Sequence, residues 1–336
     1  MIKGMDVSSY LEMRDLGYVY YDWDKNPVDV LDFAVEQGFN YARLRLWNEP
    51  ERVAESGGYC SLSKTKELAR ELKKRNIPYL LDFHYSDWWA DPEHQNIPAA
   101  WEGLSVEEMA ERLYAFTKDC LLTLKEEGLY PDMIQIGNEI RNGMLYPVAH
   151  VQNWENLAML VQAGLRAARE VSEGTKTELM IHLDEGATYA YYEEWFDRMM
   201  ELGTTDFDLI GLSYYPYIHG SYKDFETNLH RLAARYKQDL VVAEFAHPFR
   251  QSRGNYFREE QEKMAGHPAS GQGQEDALRQ LMSIIEGVPD GKCRGFFYWE
   301  PFMRSKKGHP EDSWGTFMEL MEEDGTPQQG LLAIRD

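Results

Sequence analysis

The sequence predicts an α/β fold, one (β/α)8 TIM barrel forming a single catalytic domain over residues 1–336, and three observations carry that prediction. Eight short apolar runs alternate with amphipathic stretches. Several runs are almost continuously apolar, as strands covered on both faces are. Polar or aromatic residues then end each run, which is where this fold keeps its chemistry. The length suits one barrel with long loops, and no linker, repeat array or low-complexity stretch divides the chain. A doubly wound open sheet is the competing fold, and the missing GxGxxG after the first strand counts against it.

The predicted strands follow in order. KGMDVS from Lys3 ends near Asp6 and Ser8. YARLRLW from Tyr41 carries Arg45 and delivers Trp47 and Asn48. PYLLDFH from Pro78 supplies Asp82 and His84, with Tyr85, Ser86 and Asp87 beyond. DMIQIGN from Asp132 runs into Asn138 and Glu139. ELMIHLD from Glu178 gives His182 and Asp184, and DLIGLSYY from Asp208 ends in Tyr214 and Tyr215. DLVVAEF from Asp239 contains Glu244, and GFFYW from Gly295 leads to Trp299 and Glu300. Of the helices between them, the clearest starts at Ser105, which forms a capping box with Glu108. Met109, Leu113, Phe116, Cys120 and Leu124 then share one face, and Gly128 closes the helix as a C′ residue. Gly38 and Gly203 punctuate two more helix-to-strand connections.

Composition narrows the function. The formal net charge is -22, with no basic stretch to meet phosphate, so a nucleic-acid partner and an anionic membrane surface are both excluded. A neutral partner suits the chain, and its 9 Trp and 21 Tyr include side chains able to stack on the C–H faces of sugar rings. Three cysteines without a CxxC pair give neither a disulfide framework nor a zinc site; Cys120, on an apolar helix face, reads as a buried free thiol. The start, MIKGMDVSSY, has no signal-peptide pattern, and no apolar run reaches membrane-spanning length. The expected location is cytoplasmic if Met1 is the native start and extracellular if a signal peptide preceded it.

Two carboxylates stand out. Glu139 follows an apolar run, and Glu244 lies inside one, where an unpaired charge is costly. Strands 4 and 7 of such a barrel face each other, so two glutamates there can flank a bond held over the mouth. Retaining glycoside hydrolysis requires such a pair, about 5–5.5 Å apart, one protonated and one ionised. The alternative for Glu139 is a first-turn helix glutamate favoured by the macrodipole. The alternative for Glu244 is a buried ion pair with Arg43 or Arg45. His84, His182 and His247 at strand ends raise a metal-dependent reading, but no HxH follows strand 1 and no dense His/Asp set appears, so neither metal nor cofactor is expected. His84 is expected to hydrogen-bond a substrate hydroxyl or a glutamate.

With these motifs in place, the chain resembles the arabinogalactan endo-β-1,4-galactanases, glycoside hydrolase family 53. The matching pieces include GMDVSS at Gly4, ARLRLWNEP at Ala42, DFHYSDWWADPEHQNIPAAW at Asp82, QIGNEIRNGMLYP at Gln135, GLSYYPYIHG at Gly211, VVAEFAHP at Val241, HPASGQGQ at His267 and GFFYWEP at Gly295. The resemblance implies a retaining mechanism with Glu139 as acid/base and Glu244 as nucleophile, acting on β-1,4-galactan or galacto-oligosaccharides. It further implies Asn138 as the residue bonding the sugar 2-OH, Tyr215 and Arg45 as groups orienting the nucleophile, and Trp299 as the platform under the sugar. Trp88 and Trp89 lie on a loop placed to line the groove. Together with Asp82, His84 and Asp184 these make up the expected substrate-binding set. The chain departs from the family at Phe245, where Thr is usual, and at Phe302 and Met303; both departures are expected near the cleft. Some members hold calcium after strand 7, and FRQSRGNYFREEQ (249–261) lacks the ligand spacing for it. Two other functions compete: a retaining barrel glycosidase acting on xylan, mannan or β-glucan, and a barrel that binds oligosaccharide without cleaving it.

Overall fold

The computed structural model describes residues 1–253, 257–305, 313 and 315–335. Among them run β1 (Ile2–Asp6), β2 (Tyr41–Leu46), β3 (Tyr79–Phe83), β4 (Met133–Ile136), β5 (Glu178–Leu183), β6 (Leu209–Ser213), β7 (Asp239–Phe245) and β8 (Cys293–Tyr298). Their hydrogen-bonded order is β1-β8-β7-β6-β5-β4-β3-β2, following the chain and closing on itself as the predicted barrel does. A helix follows each strand: α1 (Val30–Glu36), α2 (Leu62–Lys74), α3 (Val106–Glu126), α4 (Trp154–Val171), α5 (Tyr189–Glu201), α6 (Tyr222–Arg235), α7 (Gly271–Gly287) and α8 (Leu331–Arg335). No described helix is long and apolar enough to cross a membrane. Most predicted strand limits shift by one or two residues, and two of the shifts have a local cause. β1 stops at Asp6 because the N–H and hydroxyl of Ser8 both turn onto Asp6 Oδ1. β6 stops at Ser213, ahead of a helical turn that Pro216 opens.

The chain groups into two compact units. The first comprises Met1–Arg43, Glu185–Tyr189 and Leu212–Asp336. Here β1 pairs in parallel with β8 (Met5 opposite Tyr298) and with the start of β2 (Asp6 opposite Arg43). β7 and β8 pair with register shifts after Leu240 and after Val242, bulges that re-aim the C-terminal end of the strand holding Glu244. Phe245 is buried and packs edge-on against Tyr298, while Phe302 is buried against Tyr20 and Phe39. Both side chains are core residues, Phe245 pointing away from Glu244 because alternate side chains of a strand point to opposite faces.

The second unit comprises Leu44–Asp184 and Ala190–Gly211. β3, β4 and β5 pair in parallel, with Asp82 opposite Gln135 and Gln135 opposite Met180. In α3 the Ser105 hydroxyl accepts the Glu108 N–H and the Glu108 carboxylate accepts the Ser105 N–H, the predicted capping box. Thr117 takes a central place on the buried stripe, its hydroxyl bonded to Leu113 O and Tyr85 OH; Phe116 flanks it, half-buried against Phe83, Tyr85 and Trp101. Gly128 (φ 66°), Gly38 (110°) and Gly203 (91°) adopt the left-handed backbone required just past a helix end. The three cysteines are buried free thiols, and burial pushes those of Cys120 and Cys293 up to about 12.

Candidate active site

In the first unit, Glu244 sits at the end of β7 with 5% exposure. Its Oε1 lies 2.9 Å from Arg43 Nη1, and that nitrogen is also 3.0 Å from Asp6 Oδ2. Arg43 has 0% exposure, so one guanidinium serves two desolvated carboxylates. Tyr215 donates its hydroxyl to Glu244 Oε2 at 2.8 Å, and its own N–H is received by His219 Nδ1. A guanidinium and a phenolic O–H both favour the carboxylate form and fix its rotamer. Trp299, directly after β8, donates its backbone N–H to Phe245 O. Gly315 lies against the indole: a Cβ there would be 2.5 Å from Trp299 Cζ3 and 2.7 Å from Met303 Cε. Met303 thus lies near Trp299.

In the second unit, Glu139 is buried and left-handed (φ 51°, ψ 47°), between Asn138 and a 3-10 turn, Ile140–Asn142. It is not in the first turn of an α-helix, so the macrodipole does not account for its place. A non-glycine residue in this region costs about 1–3 kcal/mol and persists only where the surroundings enforce it. Asn138 does much of that enforcing. Its side-chain N–H donates to Ala90 O at 2.8 Å, its Oδ1 accepts from Gln135 Nε2 and lies 2.9 Å from His182 Nδ1, and its own carbonyl accepts from Gln95 Nε2.

Asp82 and His84 pair with each other in the second unit. Both are fully buried. His84 Nδ1 accepts N–H groups from Trp47 and Ala90, so it carries the lone pair, and Nε2 holds its proton toward Asp82 Oδ2 at 3.0 Å. Asp82 Oδ1 accepts from Gln135 at 2.7 Å. A hydrogen-bonded chain of side chains thus runs from Trp47 through His84, Asp82 and Gln135 to Asn138. Asp184 is likewise turned inward, with 3% exposure and both oxygens gripped by Arg141 at 2.9 and 3.0 Å. Burial pushes the Asp184 carboxyl above its usual range while Arg141 pulls it down. Trp88 and Trp89 are half-buried around Trp47, with ring centres 4.6 and 5.3 Å from it, and the Arg45 guanidinium lies 4.2 Å from the Trp89 ring.

Sequence reading missed Arg43 except as a rival explanation of Glu244, and missed Gln135, Arg141 and Trp47. For Arg43 and Gln135 a signal existed: each is a polar residue inside an apolar strand, and Arg43 lies on the same face as the chosen Arg45. Arg141 lies in a loop and gave none. Of the 249–261 stretch weighed for calcium, residues 254–256 lie outside the described residues; Arg250 and Arg253, on the described side, pair with Glu323. A cleft of about 660 Å³ opens elsewhere, lined by Ile2, Asn40, Tyr41, Ile285, Cys293 and Arg294. It lies at the N-terminal ends of β1, β2 and β8, the wrong end of these strands for barrel chemistry.

Comparison with known proteins agrees with this geometry. The family model for glycosyl hydrolase family 53 matches residues 2–327. A Niallia circulans protein, described as an uncharacterized protein in the bgaB 5′ region, is 40% identical over 99% of this chain and 93% of its own length. The arabinogalactan endo-β-1,4-galactanase A of Aspergillus niger is 32% identical over 89% of this chain and 84% of its own. The structure of the Ignisphaera aggregans GH53 catalytic domain superposes with a TM-score of 0.92 at 34% identity, covering 99% of this chain and 95% of that one.

Proposed function

Since the chain belongs to glycosyl hydrolase family 53, we propose that it is a retaining endo-β-1,4-galactanase with Glu244 as nucleophile and Glu139 as acid/base. The observation that carries the assignment is the Glu244 carboxylate, desolvated yet held by Arg43 and Tyr215 at the C-terminal end of β7. A carboxylate so placed can attack an anomeric carbon and later leave it. Glu139 protonates the departing glycosidic oxygen, so the first step forms the bond between Glu244 and C1 as the C1–O bond to the leaving sugar breaks. Glu139, now a carboxylate, takes a proton from water, whose oxygen displaces Glu244 from C1. Two inversions give net retention. Asn138, fixed by Ala90, Gln135 and His182, bonds the 2-OH of the reacting sugar, and Trp299 stacks beneath it.

The substrate is neutral β-1,4-galactan, or galacto-oligosaccharides released from it, consistent with a chain of net charge -22 that an anionic polysaccharide would repel. The axial 4-OH of galactose bends this polymer away from a flat ribbon, which suits separate aromatic platforms. The test compares initial rates on potato galactan, xylan and mannan. Release of short galacto-oligosaccharides with little action on the other two is expected; faster hydrolysis of xylan or mannan removes the galactanase reading.

A further inference from the structure

The turn that carries Glu139 also carries a second device. Arg141, two residues on, is held from three directions: both Asp184 oxygens accept from its Nε and Nη2, and Asn142 Oδ1 accepts from Nη1 at 2.9 Å. Its guanidinium lies 4.8 Å from the ring of Tyr191. Of the aromatic side chains of α5, Tyr192, Trp195 and Phe196 are fully buried and Tyr189 is half-buried, whereas Tyr191 is 43% exposed. Beside this pair, Tyr146 is half-buried with its hydroxyl on Pro92 O, and Asn142 reaches the same carbonyl. Asn96 bridges to Tyr146, and Gln95 O accepts the Tyr146 N–H, so the Gly143–His150 hairpin is tied to the 91–98 loop. The result is a walled shelf next to the acid/base, with an aromatic ring as its open floor.

We infer that Tyr191, backed by Arg141, is the platform for the first sugar on the leaving-group side of the scissile bond, a β-galactosyl unit. This rests on the galactanase reading. Three features separate it from a chance surface tyrosine. The half-buried Arg141 is oriented by the buried Asp184 carboxylate, whose two oxygens fix the guanidinium plane beside the Tyr191 ring. The shelf shares a turn with Glu139, and the sugar that receives the acid's proton must bind beside it. Galactose also has the matching shape: its axial 4-OH leaves the opposite face with a continuous patch of C–H groups at C3, C4 and C5 that can lie flat on a phenol ring. A rigid ring with few torsions to freeze is an economical contact for a weakly bound leaving sugar.

The test uses two substrates with the purified full chain. Galactopentaose requires a sugar on the leaving side; β-galactobiosyl fluoride does not, because its leaving group is fluoride. Tyr191→Ala should lower kcat/KM on galactopentaose about tenfold, the order expected for one lost stacked contact, and leave hydrolysis of the fluoride within about twofold. Transfer of galactobiosyl units to added galactobiose should fall in parallel, and Tyr191→Phe should keep all three rates. Unchanged galactopentaose hydrolysis in Tyr191→Ala overturns the platform. So does an equal fall on both substrates, which places Tyr191 in the chemical step or in folding. Wild-type enzyme that cleaves neither galactosyl substrate overturns the galactanase reading itself, a result seen before any variant is made.

Discussion

Lowering the pH from about 7 to about 4.5 should weaken this fold through His247, and the size of the effect can be worked from its surroundings. His247 lies three residues beyond Glu244, with 0% exposure. Its Nδ1 meets no hydrogen-bond partner among the described residues, and Nε2 is 3.3 Å from Pro268 O. Burial, assisted by the charge of nearby His267, pushes its pKa down from 6.5 to about 4. Between those values the unfolded chain binds a proton there that the native protein refuses. Stability from this group is therefore complete above about pH 6.5 and is lost progressively as the pH falls toward 4. A depression of this size corresponds to roughly 3 kcal/mol. Urea unfolding of wild type and His247→Gln at several pH values between about 4.5 and 7.5 isolates the effect, because a packing loss in the variant lowers its whole curve without tilting it. Wild type should lose about 2 kcal/mol more than the variant across that range. Parallel stability curves would falsify the reasoning.

Three further outcomes follow from the site. Glu139→Gln should slow galactan hydrolysis by ~10²–10⁴-fold, and Glu244→Ala by more than ~10³-fold, both with a wild-type circular dichroism spectrum; azide should partly rescue Glu244→Ala and yield an α-galactosyl azide, and near wild-type turnover in either variant ends the assignment. Proton NMR of the first product should show the β-anomer before mutarotation, and an initial α-anomer means the two carboxylates have been given the wrong roles. Gly315→Ala should raise KM for galactan several-fold, on the order of tenfold, since its Cβ would press on Trp299 and its backbone is left-handed (φ 103°); an unaltered KM would show that Trp299 does not carry a sugar.

The barrel was legible because its signal is redundant. Eight apolar runs had to be strands of one sheet, and a residue or two lost at Ser8 or Tyr215 changed nothing about their order. Glu139 and Glu244 stood out as candidates for a related reason: each is a charged residue at a point where the pattern demanded apolar packing or a strand's end; the role of Tyr215 came from the family resemblance, and its bond to Glu244 is visible only in the fold. What one sequence does not carry is depth. Asp82 and His84 end a strand as Asn138 does, and only the folded chain shows that Trp47, His84, Asp82 and Gln135 are bonded in series to Asn138. Phe245 stands next to Glu244 in sequence and on the opposite face of the strand in space. Arg141 and Tyr191 are about fifty residues apart with no pattern linking them, and their pairing is a property of the folded loops alone.

The reading of Glu244 shows how a rival explanation can turn into part of the mechanism. From sequence, a buried ion pair with Arg43 and a catalytic nucleophile looked like alternatives. Under the proposed assignment they are one arrangement, because a carboxylate buried at the end of a strand remains an anion only if something nearby supplies positive charge, and the proposed attack requires an anion. Sharing Arg43 with Asp6 limits that stabilisation, since one guanidinium divided between two carboxylates neutralises neither fully. The same logic of incomplete satisfaction runs through the backbone. Tyr85, Glu139, Glu185 and Glu300, each just past the end of a barrel strand, are all left-handed without being glycine. Each costs about 1–3 kcal/mol, against a total stability of about 5–15 kcal/mol for a typical domain. Such strain survives only where the eight-stranded core over-determines the chain, so the core's burial does more than keep the protein folded: it holds Glu139 at an angle that a relaxed loop would abandon.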